Sequence, residues 1–412
     1  MISFETFTLP NGLRVVHHFD GKTPLAVVNI LYNVGARDEN PNLTGMAHLF
    51  EHLMFGGSKN AETYDEPLQQ ASGENNAFTS NDITNYYVTL PAENLETALW
   101  LESDRMFQLN LTPKTLEVQQ GVVSEEFKQR YLNQPYGDLW LHFRPLAYST
   151  HPYQWATIGK NLEHIEKVTL EDALQFYRTH YNPSNAILVV AGNVSLDTCK
   201  NLVTKWFGDI PGGNANANRY PVEPEQLEPK RLFLEKDVPM TSLSLGFHCA
   251  SRKHVSFHTL DLLGDLLGGS ASSRLYQKLV KEERLFADIG AYSTESLDAG
   301  LFIISGRIFP GVKQEQAEAA IWEVIQEIIE KEPSSFEWEK VLNKKLTVLK
   351  YSELDVLNKA MNLALFTHLG DTHQINKEEE AYRSTSPKGI QELAQQLFRQ
   401  NNCSTLIYSA KA

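Results

Sequence analysis

The stretch His48-Leu49-Phe50-Glu51-His52 sets two imidazoles four residues apart with a carboxylate between them. Residues three and four apart on a helix share a face, so His48 and His52 can hold one metal ion. Glu51 would then point towards whatever else that ion binds. The order H-x-x-E-H, the reverse of the commoner H-E-x-x-H, is a zinc-hydrolase signature. The stretch therefore predicts a zinc site.

The residues around this stretch predict a helix, which a chance match among surface histidines would lack. Thr44 has the side chain of a helix N-cap, and Gly56-Gly57 is a typical stop signal. We therefore expect a short helix over residues 45–55 that carries the motif.

A third ligand must come from another element, because a catalytic zinc usually takes three protein ligands and leaves one position for water. The best source is a long predicted helix in which Val122, Val123, Glu126 and Phe127 share one face. Glu125 lies off that face. A carboxylate on an inward face is costly unless it is paired or bound to a metal. The residues alone favour Glu126 and leave Glu125 as the alternative.

The composition of the 412 residues excludes several classes of protein. The net charge of −14 argues against nucleic acid or an anionic membrane as the main partner. Cys199, Cys249 and Cys403 are too few and too scattered for a disulfide framework or a thiolate zinc site. No apolar run is long enough to span a membrane, and residues 1–10 do not form a basic and apolar leader. The expected location is cytoplasmic, or periplasmic if a leader has been removed.

Apolar periodicity divides the chain into two halves with similar elements, separated by a Gly-, Pro- and Asn-rich segment. The predicted organisation is an N-terminal zinc-binding domain at 1–207, a linker at 208–230 and a C-terminal domain without the metal motif at 231–412. The predicted fold class is α+β, with two homologous α/β-sandwich-like domains that each have an antiparallel-rich sheet and helices on one face. Strands are expected at 4–8, 13–18, 25–33, 85–90, 186–191, 231–236, 242–248 and 404–408, and helices at 94–106, 113–131, 170–181, 260–267, 317–331 and 390–399.

Several motifs resemble those of the M16 metallopeptidases, the family of the mitochondrial processing peptidases, pitrilysin and insulin-degrading enzyme. The resemblance covers nearly the whole chain and implies the zinc-bearing subunit of the two-domain bacterial type, which forms half of a clamshell. It also implies that Glu126 is the third zinc ligand and that Asn76 and Ala77 bind a peptide along an edge strand. Besides His48 to His52, the motifs are Leu9-Pro-Asn-Gly-Leu-Arg-Val-Val, Asn76-Ala-Phe-Thr-Ser, Asp104-Arg-Met, Asn133-Gln-Pro-Tyr-Gly and Tyr181-Asn-Pro.

Two places depart from the family pattern. Many members carry a Glu two helical turns before the third ligand, where it supports the metal site, and here that position is Gln119. Active members also draw an Arg and a Tyr, seven residues apart, from a helix in the second half, and Val280 and Ala287 stand at those places. Arg274 and Tyr276 are nearby, but their register makes them poor substitutes, and a role on the helix surface is favoured.

The resemblance implies a zinc-dependent endopeptidase that cleaves short or unfolded peptides in a chamber formed by paired subunits. Glu51 would be the general base on the zinc-bound water. Because the Arg and Tyr are missing, the expected partner is an M16-like subunit that supplies them in a hetero-oligomer, with a homodimer as the alternative. The competing hypothesis is a non-catalytic structural or peptide-binding subunit of the same family. The metal expected from two imidazoles and a carboxylate is Zn²⁺, although manganese or cobalt could replace it in vitro.

Overall fold

The strands form two separate sheets, one in each half of the sequence. In residues 1–216 and 219–411, which this computed structural model describes, one sheet has six strands and the other has five. The strands of the first sheet are β1 (Glu5–Thr8), β2 (Arg14–Phe19), β3 (Leu25–Tyr32), β4 (Glu74–Thr79), β5 (Thr84–Pro91) and β6 (Ala186–Gly192). The strands of the second sheet are β7 (Lys230–Lys236), β8 (Ser242–Cys249), β9 (Phe286–Ser293), β10 (Gly300–Ile308) and β11 (Cys403–Ala410).

Five strands of each sheet follow the same order. The first sheet runs β1-β2-β6-β3-β5-β4 and the second runs β7-β11-β8-β10-β9. Each has one parallel pair, β2 with β6 and β7 with β11, and its other pairs are antiparallel. Two sheets with the same order and directions indicate a duplicated unit. This confirms the predicted fold class of two similar α+β domains with antiparallel-rich sheets.

The helices surround these sheets, and those that were predicted agree with the structure to within a few residues at each end. Strands β9 and β10 were not predicted. The helices that were not predicted are Asp65–Gln70, Leu139–Ala147, Leu162–Glu166, Leu196–Phe207, Ser335–Ser352, Val356–Leu369 and Glu378–Arg383. The helices of the first half are α1 (Met46–Leu53), α2 (Asp65–Gln70), α3 (Leu95–Phe107), α4 (Pro113–Phe127), α5 (Leu139–Ala147), α6 (Leu162–Glu166), α7 (Leu170–His180) and α8 (Leu196–Phe207). Those of the second half are α9 (Phe257–Gly268), α10 (Gln314–Glu330), α11 (Ser335–Ser352), α12 (Val356–Leu369), α13 (Glu378–Arg383) and α14 (Pro387–Leu397).

Each sheet is covered on one face by a helix from the other half of the sequence. The apolar residues of α12, including Ala360 and Leu363, pack against Val27 and Val189 of the first sheet. In the second unit, Phe143 of α5 packs against residues of β10 and β11. Neighbouring residues of a strand point to opposite faces, and the central strands β3, β6 and β8 are buried along nearly their whole length, so these strands are covered on both sides.

The chain accordingly divides into two compact units that are not continuous in sequence. The predicted boundaries at 207 and 231 separate the strands of the two sheets, but the compact units also exchange the segments that carry α5 and α12. The first unit contains Met1–Gln129, Trp155–Tyr220 and Lys350–Lys377, and the second contains Arg130–Gln154, Pro221–Leu349 and Glu378–Ala412. Within the described part of the chain, no helix is both long enough and apolar enough to cross a membrane.

The predicted linker is fixed to folded structure by hydrogen bonds within each unit. In the first unit, Asn216 and Tyr220 both donate to a carboxylate oxygen of Asp38. In the second unit, the Glu223 carboxylate accepts five hydrogen bonds from the loop at 149–151. The segment is therefore anchored to folded structure at Asn216, Tyr220 and Glu223. Ala217 and Asn218 of the predicted linker, and Ala412 of the predicted C-terminal domain, lie outside the described residues.

Candidate metal centre

Helix α1 carries His48, Glu51 and His52, and it begins differently from the prediction. Its N-cap is Gly45, whose φ of 92° lies in the left-handed region, so the expected Thr44 cap is wrong. A Cβ at Gly45 would lie 2.7 Å from the carbonyl oxygen of Ile158, so this close approach requires glycine. The Thr44 hydroxyl instead contacts Nδ1 of His164 at 2.9 Å.

The start of α1 is capped through space by a buried carboxylate that the sequence analysis missed. Glu39 accepts hydrogen bonds from the N–H groups of Gly45 and Ala47, both at 2.9 Å, and from Nε1 of Trp155 at 3.1 Å. Burial raises the pKa of the Glu39 carboxyl to about 8, although these three donors favour its anion. A negative charge also suits the positive end of the helix dipole. No local signal distinguishes this Glu from a solvated one.

The other end of α1 lies on a buried ion pair. Arg105 and Glu102, one turn apart on α3, are each 1% exposed and are joined at 2.5 and 3.0 Å. The guanidinium carbon of Arg105 lies 4.5 Å from the ring centroids of both Tyr64 and Tyr86, a cation–π arrangement. Arg105 Nη1 also donates to the carbonyl of Met54, the residue that follows the helix, at 3.4 Å. This hydrogen bond ties the buried pair to the end of the helix that carries both histidines.

Helix α4 supplies the carboxylate that faces α1. The helix starts with a capping box between its N-cap, Thr112, and Thr115, and its first residue is Pro113. Its buried residues are Leu116, Val123, Ser124 and Phe127, and Glu126 is half-buried beside them. Val122 is 47% exposed, so its predicted place on the inward face is wrong, because that face is narrower than the predicted stripe.

The two candidate third ligands have different surroundings. Glu125 is exposed and forms an ion pair with Lys128 at 2.7 Å. Glu126 Oε2 lies 3.3 Å from Nε2 of His52 and 3.7 Å from Nε2 of His48. The structure therefore brings Glu126, and not Glu125, next to the two imidazoles.

The spacing of the three donor atoms fits a shared metal ion. One ligand atom from each of His48, His52 and Glu126 lies within 4.8 Å of the other two. Tetrahedral ligands at 2.0–2.1 Å from zinc are about 3.3–3.4 Å apart, close to the separations between imidazole and carboxylate. A charge-assisted hydrogen bond would instead bring nitrogen and oxygen to about 2.7–2.9 Å. The donor set, two imidazole nitrogens and one carboxylate oxygen, is also one that catalytic zinc sites use.

Glu51 projects from α1 towards the end of strand β4. Its Oε2 accepts a hydrogen bond of 2.6 Å from the hydroxyl of Thr79, and both residues are half-buried. Thr79 was not among the predicted site residues. It belongs to the Asn76-Ala-Phe-Thr-Ser motif and lies two residues after Ala77, so the strand period could have placed both on one face.

The predicted peptide-binding residues lie on β4, which is an edge strand of the first sheet next to α1. Asn76 is exposed and Ala77 is half-buried. The Ala77 N–H donates to Oδ1 of Asn76 at 2.8 Å. Gln119 is half-buried on α4, two turns before Glu126. The structure thus places Asn76 and Ala77 at a sheet edge, where an extended peptide could add a strand.

The second unit contains the residues at the predicted Arg and Tyr positions. Val280 lies in a π-helical turn (Tyr276–Glu282) and packs against the core of that unit, and Ala287 lies in β9. Arg274 is bound to Glu337 by an ion pair of 2.9 Å. That pairing is consistent with a structural role for Arg274.

Comparisons with known proteins agree with these motifs. A family model described as insulinase (peptidase family M16) matches residues 14–137, and one described as the peptidase M16 inactive domain matches residues 167–345. The zinc protease PqqE of Helicobacter pylori is 33% identical over 343 residues, which cover 82% of this chain and 77% of that protein. YmxG, an uncharacterized zinc protease of Bacillus subtilis, is 28% identical over 304 residues, 73% of each chain.

Solved structures show the same fold along the full chain. The crystal structure of a protease from Helicobacter pylori superposes with a TM-score of 0.94 and 28% identity, covering 100% of both chains. A peptidase M16 inactive domain from Pseudomonas fluorescens superposes with a TM-score of 0.91, covering 100% of this chain and 99% of that one. At 16% identity the second match shows likeness of fold alone.

Proposed function

The chain belongs to the M16 metallopeptidase family, and on that premise we propose that it is a zinc-dependent endopeptidase with His48, His52 and Glu126 as its zinc ligands. The observation that carries the proposal is the separation of 3.3 and 3.7 Å between the Glu126 carboxylate and the two imidazoles. Glu51 lies on the same helix, between the histidines in sequence. Three ligands leave a position open for the reaction, as catalytic zinc sites require.

Glu51 is the residue to which we assign proton transfer. Zinc, when bound, would supply Lewis-acid polarisation of the scissile carbonyl and of the attacking water. The Glu51 carboxylate would take a proton from that water and then pass it to the amine that leaves. His48 and His52 would not transfer protons, because their Nε2 atoms would be used to hold the shared ion. Gln119 would contribute a neutral amide where many relatives carry a charged carboxylate.

The substrate that suits this site is an extended peptide. A peptide added as a strand at the edge of β4 would be bound through main-chain hydrogen bonds, which depend little on its amino-acid sequence. The Ala77 N–H donates to Asn76 Oδ1 at 2.8 Å, so a substrate carbonyl that accepted from this N–H would displace the Asn76 side chain. Most extended segments of a folded protein are already paired within its sheets, so short or unfolded peptides are the proposed substrates.

A second chain is the proposed source of the missing Arg and Tyr. Val280 packs into the core and Ala287 has no functional group, so neither can bind a peptide backbone as an Arg or Tyr would. We propose a hetero-oligomer with an M16-like subunit that carries both residues. The chain alone should then be weakly active or inactive, and strong activity of a homodimer would contradict this part of the proposal.

The test is cleavage of unstructured peptides by the purified, zinc-loaded chain, followed by mass spectrometry with and without a chelator. Chelator-sensitive cleavage that E51Q lacks would support the endopeptidase. If the chain alone is inactive, an M16-like subunit with the Arg and Tyr is added. Cleavage that appears only in the mixture would support the paired form.

The second candidate is a non-catalytic structural or peptide-binding subunit, which Val280 and Ala287 favour. A peptide-binding subunit would retain zinc and bind peptides without cleaving them. Zinc loading without cleavage, even in the mixture, would favour this candidate over the enzyme. Failure to bind zinc would exclude the metal site on which the endopeptidase depends.

A further inference from the structure

We propose that Thr79 is a positioning residue for Glu51, an inference that rests on the proposed peptidase function. The Thr79 hydroxyl donates to Oε2 of Glu51 at 2.6 Å. We assign the acceptance of the water proton to the other carboxylate oxygen, Oε1. The hydroxyl would hold the carboxylate in one orientation, with Oε1 turned towards the reacting water.

The direction of the Thr79 hydroxyl is fixed by the strand that carries it. Thr79 is the last residue of β4 and pairs with Thr84 of β5. The Thr84 hydroxyl is itself bonded to the carbonyl of Val34 at 2.9 Å, which anchors the strand pair at this end. A β-branched side chain has few χ1 rotamers, so a fixed backbone also restricts the hydroxyl. Thr79 can therefore act as a donor of fixed direction to the Glu51 carboxylate.

The alternation of β4 places this donor on the face turned towards α1. Asn75, Ala77 and Thr79 are half-buried, whereas Glu74, Asn76 and Phe78 are exposed, as expected for a strand with one covered face. Helix α1 contacts β4, and the hydrogen bond from Thr79 to Glu51 shows that it does so on this side. The base and the proposed peptide-binding edge are thus joined by one hydrogen bond.

A hydrogen bond to a carboxylate is large enough to matter for catalysis. Such bonds contribute more than bonds between neutral groups, and losing one would leave Glu51 to sample other rotamers. Only orientations with an oxygen near the water are productive. We expect loss of the hydroxyl to reduce kcat about ten- to a hundredfold, while the peptide edge and KM stay unchanged.

The experiment compares Thr79→Val, which keeps the shape and removes the hydroxyl, with Thr79→Ser, which keeps the hydroxyl. Thr89→Val makes the same chemical change near the far end of β5 and is the matched control. The readouts are kcat and KM for a peptide cleaved by the wild-type chain or its mixture, zinc content and thermal unfolding. Crystal structures of the zinc-loaded variants add a readout that does not depend on turnover.

The expected result is a lower kcat for T79V at unchanged KM and zinc content, with T79S within about threefold of wild type. In the crystals the Glu51 carboxylate should stay beside residue 79 in T79S and turn away in T79V. A wild-type kcat for T79V, equal losses in T79S and T79V, or an unmoved Glu51 in T79V would overturn the proposal. A zinc-loaded wild type that cleaves nothing in either form would instead refute the proposed function, and the crystals would still test the positioning of Glu51.

Discussion

Nε2 of His52 lies 3.3 Å from Oε2 of Glu126, although the two residues belong to different helices, α1 and α4. This distance matches two ligands of one zinc ion better than a direct hydrogen bond. The side chains are 26% and 17% exposed, so a metal could be reached by solvent and substrate while being held by the protein. The relationship makes α4 as important to the proposed site as the helix with the motif.

Glu126→Gln should weaken zinc binding more than about a hundredfold. Loss of a residue that only hydrogen-bonds to a ligand already lowers metal affinity about 10–100-fold, and Glu126 is proposed as a ligand itself. The neighbouring Glu125→Gln is the control, since Glu125 is exposed and bound to Lys128. Zinc affinity is measured by competition with a chromophoric chelator. Zinc should also raise the melting temperature of wild type and E125Q more than that of E126Q. Equal affinities for the two variants would remove Glu126 from the ligand set.

Glu51→Gln should keep the zinc and lose the cleavage. Glutamine has the shape of glutamate but is not basic enough to take a proton from water, and general acid–base catalysis contributes about 10²–10⁴-fold. The measurement combines zinc content per chain with peptide turnover, and E125Q again serves as the unaffected control. Turnover by E51Q within a few fold of wild type would rule out Glu51 as the base.

The loop at 149–151 should make stability depend on acid pH through Glu223. Burial alone would raise the pKa of the Glu223 carboxyl, but hydrogen bonds from His151, Ser149 and Thr150 outweigh it and lower the pKa to about 2. A lowered folded-state pKa stabilises the protein above the unfolded value of 4.5, and this contribution disappears as pH falls towards 2.

Glu223→Gln should therefore lower stability at pH 7 by on the order of 1 kcal/mol, because solvent screens part of this half-buried charge. Urea unfolding at a series of pH values should show the gap from wild type narrowing below pH 4.5. Glu225→Gln is the control, since Glu225 forms an exposed pair with Arg399 at 3.2 Å. A gap that stays constant down to pH 3 would contradict this assignment.

Local patterns predicted that His48, His52 and Glu126 lie together, because the spacing of a helix determines which side chains share a face. The i, i+4 spacing of His48 and His52 needs no tertiary information, and the apolar neighbours of Glu126 distinguished it from Glu125. The same reasoning was wrong at Val122, because periodicity gives the direction of a buried face better than its width.

Contacts between distant segments could not be predicted in this way. The cap that Glu39 provides for α1 depends on how the preceding loop folds back, and Thr44 offered a better local signal. The bond from Thr79 to Glu51 joins a strand to a helix. An apolar stripe likewise shows that a helix packs on a surface without showing which one, so the place of α12 on the first sheet follows only from tertiary structure.

Arg105→Met should destabilise the first unit by about 3–5 kcal/mol, because it leaves the carboxylate of Glu102 buried without its cation. In the described structure, Glu102 is stabilised by Arg105 and by a hydrogen bond of 2.5 Å from the Tyr64 hydroxyl. Of these contacts, R105M would leave only the one from Tyr64. The control is Lys167→Met, which removes an ion pair with Glu163 that is 68% and 72% exposed and should change stability by less than about 1 kcal/mol. Urea unfolding at neutral pH measures both. Arg105 also donates to the carbonyl of Met54 at the end of α1, so R105M should weaken zinc binding as well. Equal stability of R105M and K167M would show that the buried pair does not support α1.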